Sequence, residues 1–283
     1  MTNELRLLAV LAHPDDESLG NGGMLVKYAA EGVKTYLVTA TRGEQGWFAD
    51  PKDYPGPEEL GRIREGELRL AAKVLGVQEV SFLDYRDGEL PNADHDEVVG
   101  KIVEHIRKIR PHVVVTFDQN GLYGHPDHIA ICQFTTAAVA AAADPNFAVP
   151  SSYQPYSVPK LYYMAWREDE VANYEEAFGE LIMDIDGEKR SSIPWPSWSI
   201  TTRIDASDHW QRAWEAVSHH KSQLPGYQKL IALPEEAHKE MWGTHDYYRA
   251  FSRVACPQKE DDLFAGLRDT DRPVKSHATA ILV

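Results

Sequence analysis

The stretch LRLLAVLAHPDDE, residues 5–17, decides how this 283-residue chain is read. Residues 7–12 are apolar without a break, and they lack the alternation of a strand that shows one face to water. They therefore predict a strand covered on both sides, as in a parallel sheet sandwiched by helices. The run ends abruptly on an imidazole and three consecutive carboxylates, His13, Asp15, Asp16 and Glu17 after Pro14. A second β-rich run, VKTYLVTA at residues 33–40, follows, and residues 24–31 predict a helix between the two, stopped by Gly32.

The alternation continues outward from there. Residues 58–75 read as an amphipathic helix with Leu60, Ile63, Leu68, Ala71, Ala72 and Leu75 near helical spacing and Gly76 as its stop. A strand at 79–83, a helix at 96–109, a strand at 112–117 and a helix from 127 to about 143 complete the series. Strand and helix in strict turn predict an α/β fold, Rossmann-like, with a mostly parallel sheet flanked by helices. After Asp144, prolines at 145, 150, 155 and 159 loosen the pattern into a less regular C-terminal half. Strands at 160–166 and 200–204 are expected there, with helices at 207–220, capped by Ser207 or Asp208, and at 234–251. Residues 1–258 are expected to form one domain and residues 259–283 a charged, Pro-interrupted tail.

Composition narrows the function. Lys and Arg number 29 against 44 Asp and Glu, a formal charge of -15, and no basic run gathers the cations into a patch. Such an excess repels phosphate backbones and anionic headgroups, so neither nucleic acid nor a membrane surface is the expected partner. No run approaches the ~18 apolar residues of a membrane span. The N-terminal apolar run is too short and too acidic in its surroundings for a signal peptide. Cys132 and Cys256 show no paired spacing, and a cytoplasmic compartment is expected. Self-association is left open.

In open α/β sheets ligands bind beyond the carboxyl ends of the strands. Those positions hold His13 to Glu17, then Thr41 to Glu44, then Asp84 to Asp87, then Tyr123-Gly124-His125-Pro126-Asp127-His128. A metal site with an open position needs three ligands of imidazole and carboxylate type, which His13, Asp16 and His128 can supply. Asp15 is then an unligated carboxylate next to the metal, as a general base requires. Taken singly, Asp15, Asp16, Ser18 and Asp127 could simply cap helices. Two such clusters after two apolar strands favour the metal. Gly20-Asn21-Gly22-Gly23 lacks the spacing of a dinucleotide loop and lies among carboxylates, so its glycines are read as letting helix and sheet approach. No G-x-S-x-G elbow is present.

The paired motifs at residues 12–17 and 123–128 resemble those of the LmbE-like or PIG-L family of zinc-dependent de-N-acetylases. The resemblance extends to Thr41 to Glu44, to the helix from Arg64 to Val77 and to His220-Lys221-Ser222-Gln223. It implies one zinc per chain, with iron(II) as the alternative, and hydrolysis of an N-acyl group, usually acetyl, from a small amino-sugar substrate. By motif, it makes His13, Asp16 and His128 the ligands and Asp15 the base. His125 stabilises the oxyanion or protonates the amine, Asp127 orients and tunes His125, and Tyr123 polarises the carbonyl. Glu44, Arg64, Asp87 and His220 are the implied substrate contacts. Tyr123 leans toward the branch of thiol-cofactor deacetylases and amidases. Amidase action on a larger thiol or sugar conjugate is the alternative enzyme, and a catalytically silent metal- or sugar-binding protein the alternative outside catalysis. Trp195 and Trp198 could wall a sugar-sized cleft or pack a loop.

Overall fold

The computed structural model describes residues 4–180, 182–185 and 187–268. The first half alternates as its periodicity demands. It runs β1 (Arg6–Leu11), α1 (Asp16–Ala30), β2 (Lys34–Thr39), α2 (Pro57–Leu75), β3 (Glu79–Phe82), α3 (His95–Ile109), β4 (Val113–Thr116), a single turn α4 (Gly121–Gly124) and α5 (Pro126–Ala141). β5 (Lys160–Met164) and α6 (Glu168–Phe178) open the second half. A hairpin of β6 (Ile182–Ile185) and β7 (Glu188–Ser191) follows, then β8 (Thr202–Asp205), α7 (Trp210–Val217), the short α8 (Gln228–Ile231), α9 (Glu235–Gly243) and β9 (Thr244–Ser252).

Among the described residues, seven strands form one sheet in the order β3-β2-β1-β4-β5-β9-β8. The first five run parallel, and β9 lies antiparallel between β5 and β8. β1 is central, which is why residues 7–12 are entirely buried and carry no polar side chain. Helices α1 and α2 pack together with α7 along one face, while α3 and α5 pack together on the other.

Several expectations change. α1 begins at Asp16, eight residues before the expected start, so the acidic cluster is itself the first helical turn. The glycines in that helix do permit close approach, but to the C-terminal half: a Cβ on Gly22 would meet Ala213 at 3.0 Å, and one on Gly23 would collide with the Trp242 carbonyl oxygen. Ile63, expected on the buried stripe of α2, is exposed. No side chain of Ser207 or Asp208 caps α7, which begins at Trp210. The helix expected over 234–251 ends at Gly243, because THDYYRAFS, with three aromatic residues, pairs with both β5 and β8. Helix α6 and the β6–β7 hairpin were not foreseen.

The segment expected as a tail from residue 259 is docked on the sheet as far as it is described. The buried Lys160 Nζ binds Glu260 Oε1 at 2.6 Å, Tyr162 and Thr202 donate to Glu260 Oε2 at 2.8 and 2.9 Å, and Tyr28 donates to Asp262 at 3.0 Å. Residues 269–283 lie outside the described residues.

The helical glycines give opposite expectations. Gly66 in α2 has open space where a Cβ would stand, so Gly66→Ala should stabilise by about 0.5–1 kcal/mol. Gly23→Ala drives a Cβ into backbone and should destabilise by about 1–3 kcal/mol. Urea midpoints of the two variants should move in opposite directions; a gain for Gly23→Ala would refute the close packing of α1.

Candidate active site

β1 and β4 are neighbours from which the strand order runs in opposite directions, so their carboxyl ends open a crevice where the connections part. The turn after β1 is closed by Asp16, whose Oδ2 accepts the backbone N–H groups of Ala12 at 3.1 Å and His13 at 2.7 Å. Asp15 stands at φ 112°, a conformation that costs a non-glycine residue energy and needs external support. That support is on hand: its N–H reaches Glu17 Oε2 at 3.0 Å, and its Oδ2 receives Tyr227 at 2.7 Å and Arg64 at 3.1 Å. After β4 the chain reverses through Gly121 and Leu122, at φ 61° and 62°. A Cβ on Gly121 would stand 2.9 Å from that of His128, so glycine there lets His128 come in close. His125 caps α5, its Nδ1 accepting the Asp127 N–H at 3.2 Å.

The hydrogen-bond partners fix the histidine tautomers. His13 Nε2 lies 3.1 Å from both Asp87 Oδ1 and Asp127 Oδ2. These acceptors are themselves anchored, Asp127 by the N–H groups of Gly88 and Leu90 and Asp87 by that of Gln45. The His13 hydrogen therefore sits on Nε2 and Nδ1 is bare. His128 likewise gives its Nδ1 hydrogen to the Gly121 carbonyl at 3.3 Å, which leaves Nε2 bare. The two bare nitrogens face each other at 3.3 Å, with Asp16 oxygens 3.7 and 3.4 Å away. Two lone pairs and a carboxylate at that spacing repel unless a cation or a proton lies among them, so this donor set fits a divalent ion.

Among the described residues two triplets are within reach of one ion, His13 with His125 and His128, and His13 with Asp87 and Asp127. The second uses the protonated edge of His13. In the first, His125 has its bare nitrogen occupied by the Asp127 N–H, so its remaining nitrogen carries a hydrogen and acts as a donor. The expected set of His13, Asp16 and His128 is not among these groups; the Asp16 oxygen 3.7 Å from His13 is Oδ2, already bonded to the backbone, and the one 3.4 Å from His128 is Oδ1.

Electrostatics favour a positive charge among these donors, either a second proton on His13 Nδ1 or a bound cation. Burial pushes the Asp16 carboxyl up to about 7, with His13 pulling it down and Asp15 and Glu17 adding to the rise. Burial would lower His13, but its bonds to Asp127 and Asp87 and the charges of Asp87 and Asp16 carry it well above its ordinary value. Burial also raises Asp87, and the His13 contact overrides it, holding that carboxyl well below the usual range. Burial and the charge of His13 push His125 down to about 4, and burial, with His125 and His13, holds His128 well below ordinary. Burial and the nearby carboxylates raise the Tyr123 and Tyr227 phenols, so both stay protonated donors.

The expected residues divide. His13, Asp15, Asp16, Tyr123, His125 and His128 together line a cavity of about 320 Å³, along with Arg64 and Asp87. Asp127 does not orient His125 through its carboxylate, which is spent on His13. Glu44 is outside the lining: its carboxylate accepts the Asp87 N–H at 3.3 Å and props that loop. His220 is outside too, fully buried behind α1 with Nε2 2.8 Å from Glu17 Oε1. Arg64 gives its guanidinium to the carbonyls of Gly43 and Pro14 as well as to Asp15. Trp195 packs a loop, donating to Asp118 at 2.8 Å and stacking on Tyr248, and Trp198 is exposed. Unforeseen lining residues are Phe48, Phe117, Met164, Trp166, Tyr174 and Tyr227. None carries a spacing signal, because they come from separate elements of both halves.

Comparison with known proteins follows this geometry. The family model "PIG-L: GlcNAc-PI de-N-acetylase" matches residues 8–139. The mycothiol S-conjugate amidase of Streptomyces coelicolor is 33% identical, over 95% of this chain and 99% of its own. The 1D-myo-inositol 2-acetamido-2-deoxy-alpha-D-glucopyranoside deacetylase of Geodermatophilus obscurus is 35% identical, over 94% and 99%. Among solved structures, the conserved protein TT1542 from Thermus thermophilus superposes with a TM-score of 0.63 at 25% identity, covering 89% of this chain and 98% of that one. With paired motifs in place at one sheet edge and relatives matched over nearly their whole length, this chain belongs to the PIG-L family of de-N-acetylases.

Proposed function

We propose that this protein removes the N-acetyl group from a glucosaminyl-inositol type of amino sugar, with zinc held by His13, Asp16 and His128. Its relatives make it an N-deacetylase or amidase. The observation that carries the reading is the pair of imidazole nitrogens facing each other at 3.3 Å beside Asp16, with a second carboxylate, Asp15, bonded to none of them.

Zinc in that set supplies Lewis acidity and lowers the pKa of a water to about 7. Asp15 Oδ2 is occupied by Tyr227 and Arg64, which leaves Oδ1 to take the proton of the attacking water. Tyr123 and the Nε2 hydrogen of His125 donate to the carbonyl oxygen as it gains charge. In this reading His125, whose Nδ1 accepts the Asp127 N–H, serves through its Nε2 hydrogen as an electrostatic donor. The proton that the leaving amine needs returns from Asp15.

A second reading, amidase action on a larger conjugate, is favoured by Phe48, Trp166 and Tyr174, which add apolar surface to the cavity lining. No helix among the described residues is long and apolar enough to cross a membrane.

Zinc-loaded protein should release acetate from the N-acetylglucosaminyl derivative of inositol, measured by coupled acetate assay. No release from it or from other N-acetyl amino sugars, with turnover of S-conjugate amides instead, would select the amidase. His128→Ala should abolish stoichiometric metal in elemental analysis, and full occupancy in that variant would refute the ligand set. Asp15→Asn should keep the metal while kcat falls by about 10²–10⁴, and Tyr123→Phe should lose about 10²–10³. His125→Ala should lower the plateau of the pH–rate profile and keep both limbs; a lost limb would make His125 the acid.

A further inference from the structure

The late stretch His220-Lys221-Ser222-Gln223 touches three separate pieces of the N-terminal half. His220 Nε2 meets Glu17 in α1 at 2.8 Å. Ser222 gives its backbone N–H and its hydroxyl to the two oxygens of Glu67 in α2, at 2.8 and 2.7 Å. Gln223 Nε2 donates to the Gly46 carbonyl, in the loop after β2, at 2.9 Å. Of these residues only Gln223 and Gly46 line the cavity. Together they form a clamp that fixes the next turn, and that turn delivers Tyr227, buried, with its hydroxyl 2.7 Å from Asp15 Oδ2.

We propose that Tyr227 is a positioning residue that, with Arg64, fixes the Asp15 carboxylate so that Oδ1 alone faces the attacking water. The inference rests on Asp15 being the base. Its physical content is rotational. A carboxylate on a backbone held at φ 112° could present either oxygen, and Oδ2 here is claimed by two donors from different directions. Arg64 comes from α2 and is itself anchored on Gly43 and Pro14. Tyr227 comes from the C-terminal half, so the base is oriented only when the two halves are docked.

Tyr227→Phe keeps the ring and removes the bond to Asp15. It should lower kcat by about 10- to 10²-fold, the worth of a hydrogen bond to a charged group, with KM, metal content and melting temperature near wild type. Ser222→Ala, which loosens the clamp from outside the cavity, should lower kcat less. Val103→Ala, a buried packing change in α3 on the other face of the sheet, should cost stability and spare kcat. A double-mutant cycle decides the route. In the Asp15→Asn background Tyr227→Phe should cost nothing further. An equal loss in both backgrounds, or wild-type kcat in Tyr227→Phe, overturns the positioning role and leaves Asp15 as base. Wild-type kcat in Asp15→Asn overturns the base and the positioning role together.

Discussion

Everything at the site hangs on one tight turn, in which Asp16 folds back to accept the backbone N–H groups of Ala12 and His13. That closure spends one oxygen of the carboxylate on the backbone, keeps the other toward His128, and ends β1 with the His13 ring beside it. It also forces the chain through the left-handed conformation of Asp15, which turns two adjacent carboxylates to different tasks. One is held by the turn and faces the metal position. The other is turned aside to Arg64 and Tyr227.

The charges around that turn would be costly without compensation. Three acidic residues in sequence and two buried imidazoles with facing lone pairs have few ways to share protons. The protein resolves part of this itself, by pinning His13 Nε2 between Asp87 and Asp127 and by pairing Glu17 with His220. What is left over, the bare nitrogens and Asp16, is the part that the proposed metal would complete. With His13 as the proposed ligand, the carboxylates of Asp87 and Asp127 would orient it from the far side of the ring.

The C-terminal half encloses the site and supplies it with little polar chemistry. Met164, Trp166 and Tyr174 wall the cavity, while α7 and α9 press on the glycine face of α1 and so hold the helix that begins at Asp16. The buried Lys160–Glu260 pair ties the chain after β9 across the sheet, so the segment around Glu260 belongs to the fold in spite of its charge.

The parallel sheet, its helices and the convergence of His13, Asp15, Asp16, Tyr123, His125 and His128 were legible in the sequence. Apolar runs have a period, and in an α/β fold whatever follows a central strand must lie at one edge. The continuation of β9 was not legible, since THDYYRAFS fits a helical window as well as a strand until β5 and β8 are there to pair with it. Nor was the division of labour among polar residues. A motif names which side chains recur together, but partners decide what each does. Only the folded chain shows that Asp127 serves His13 and that Glu44 props the Asp87 loop, and only docking of the two halves shows that His220 is a buried clamp and that Tyr227 reaches Asp15 across 212 positions of sequence. Local sequence determined the strands, the turn and the ligand types, because those follow from neighbours in the chain. Tertiary structure alone decided which lone pairs were left bare, because that depends on donors brought from elsewhere.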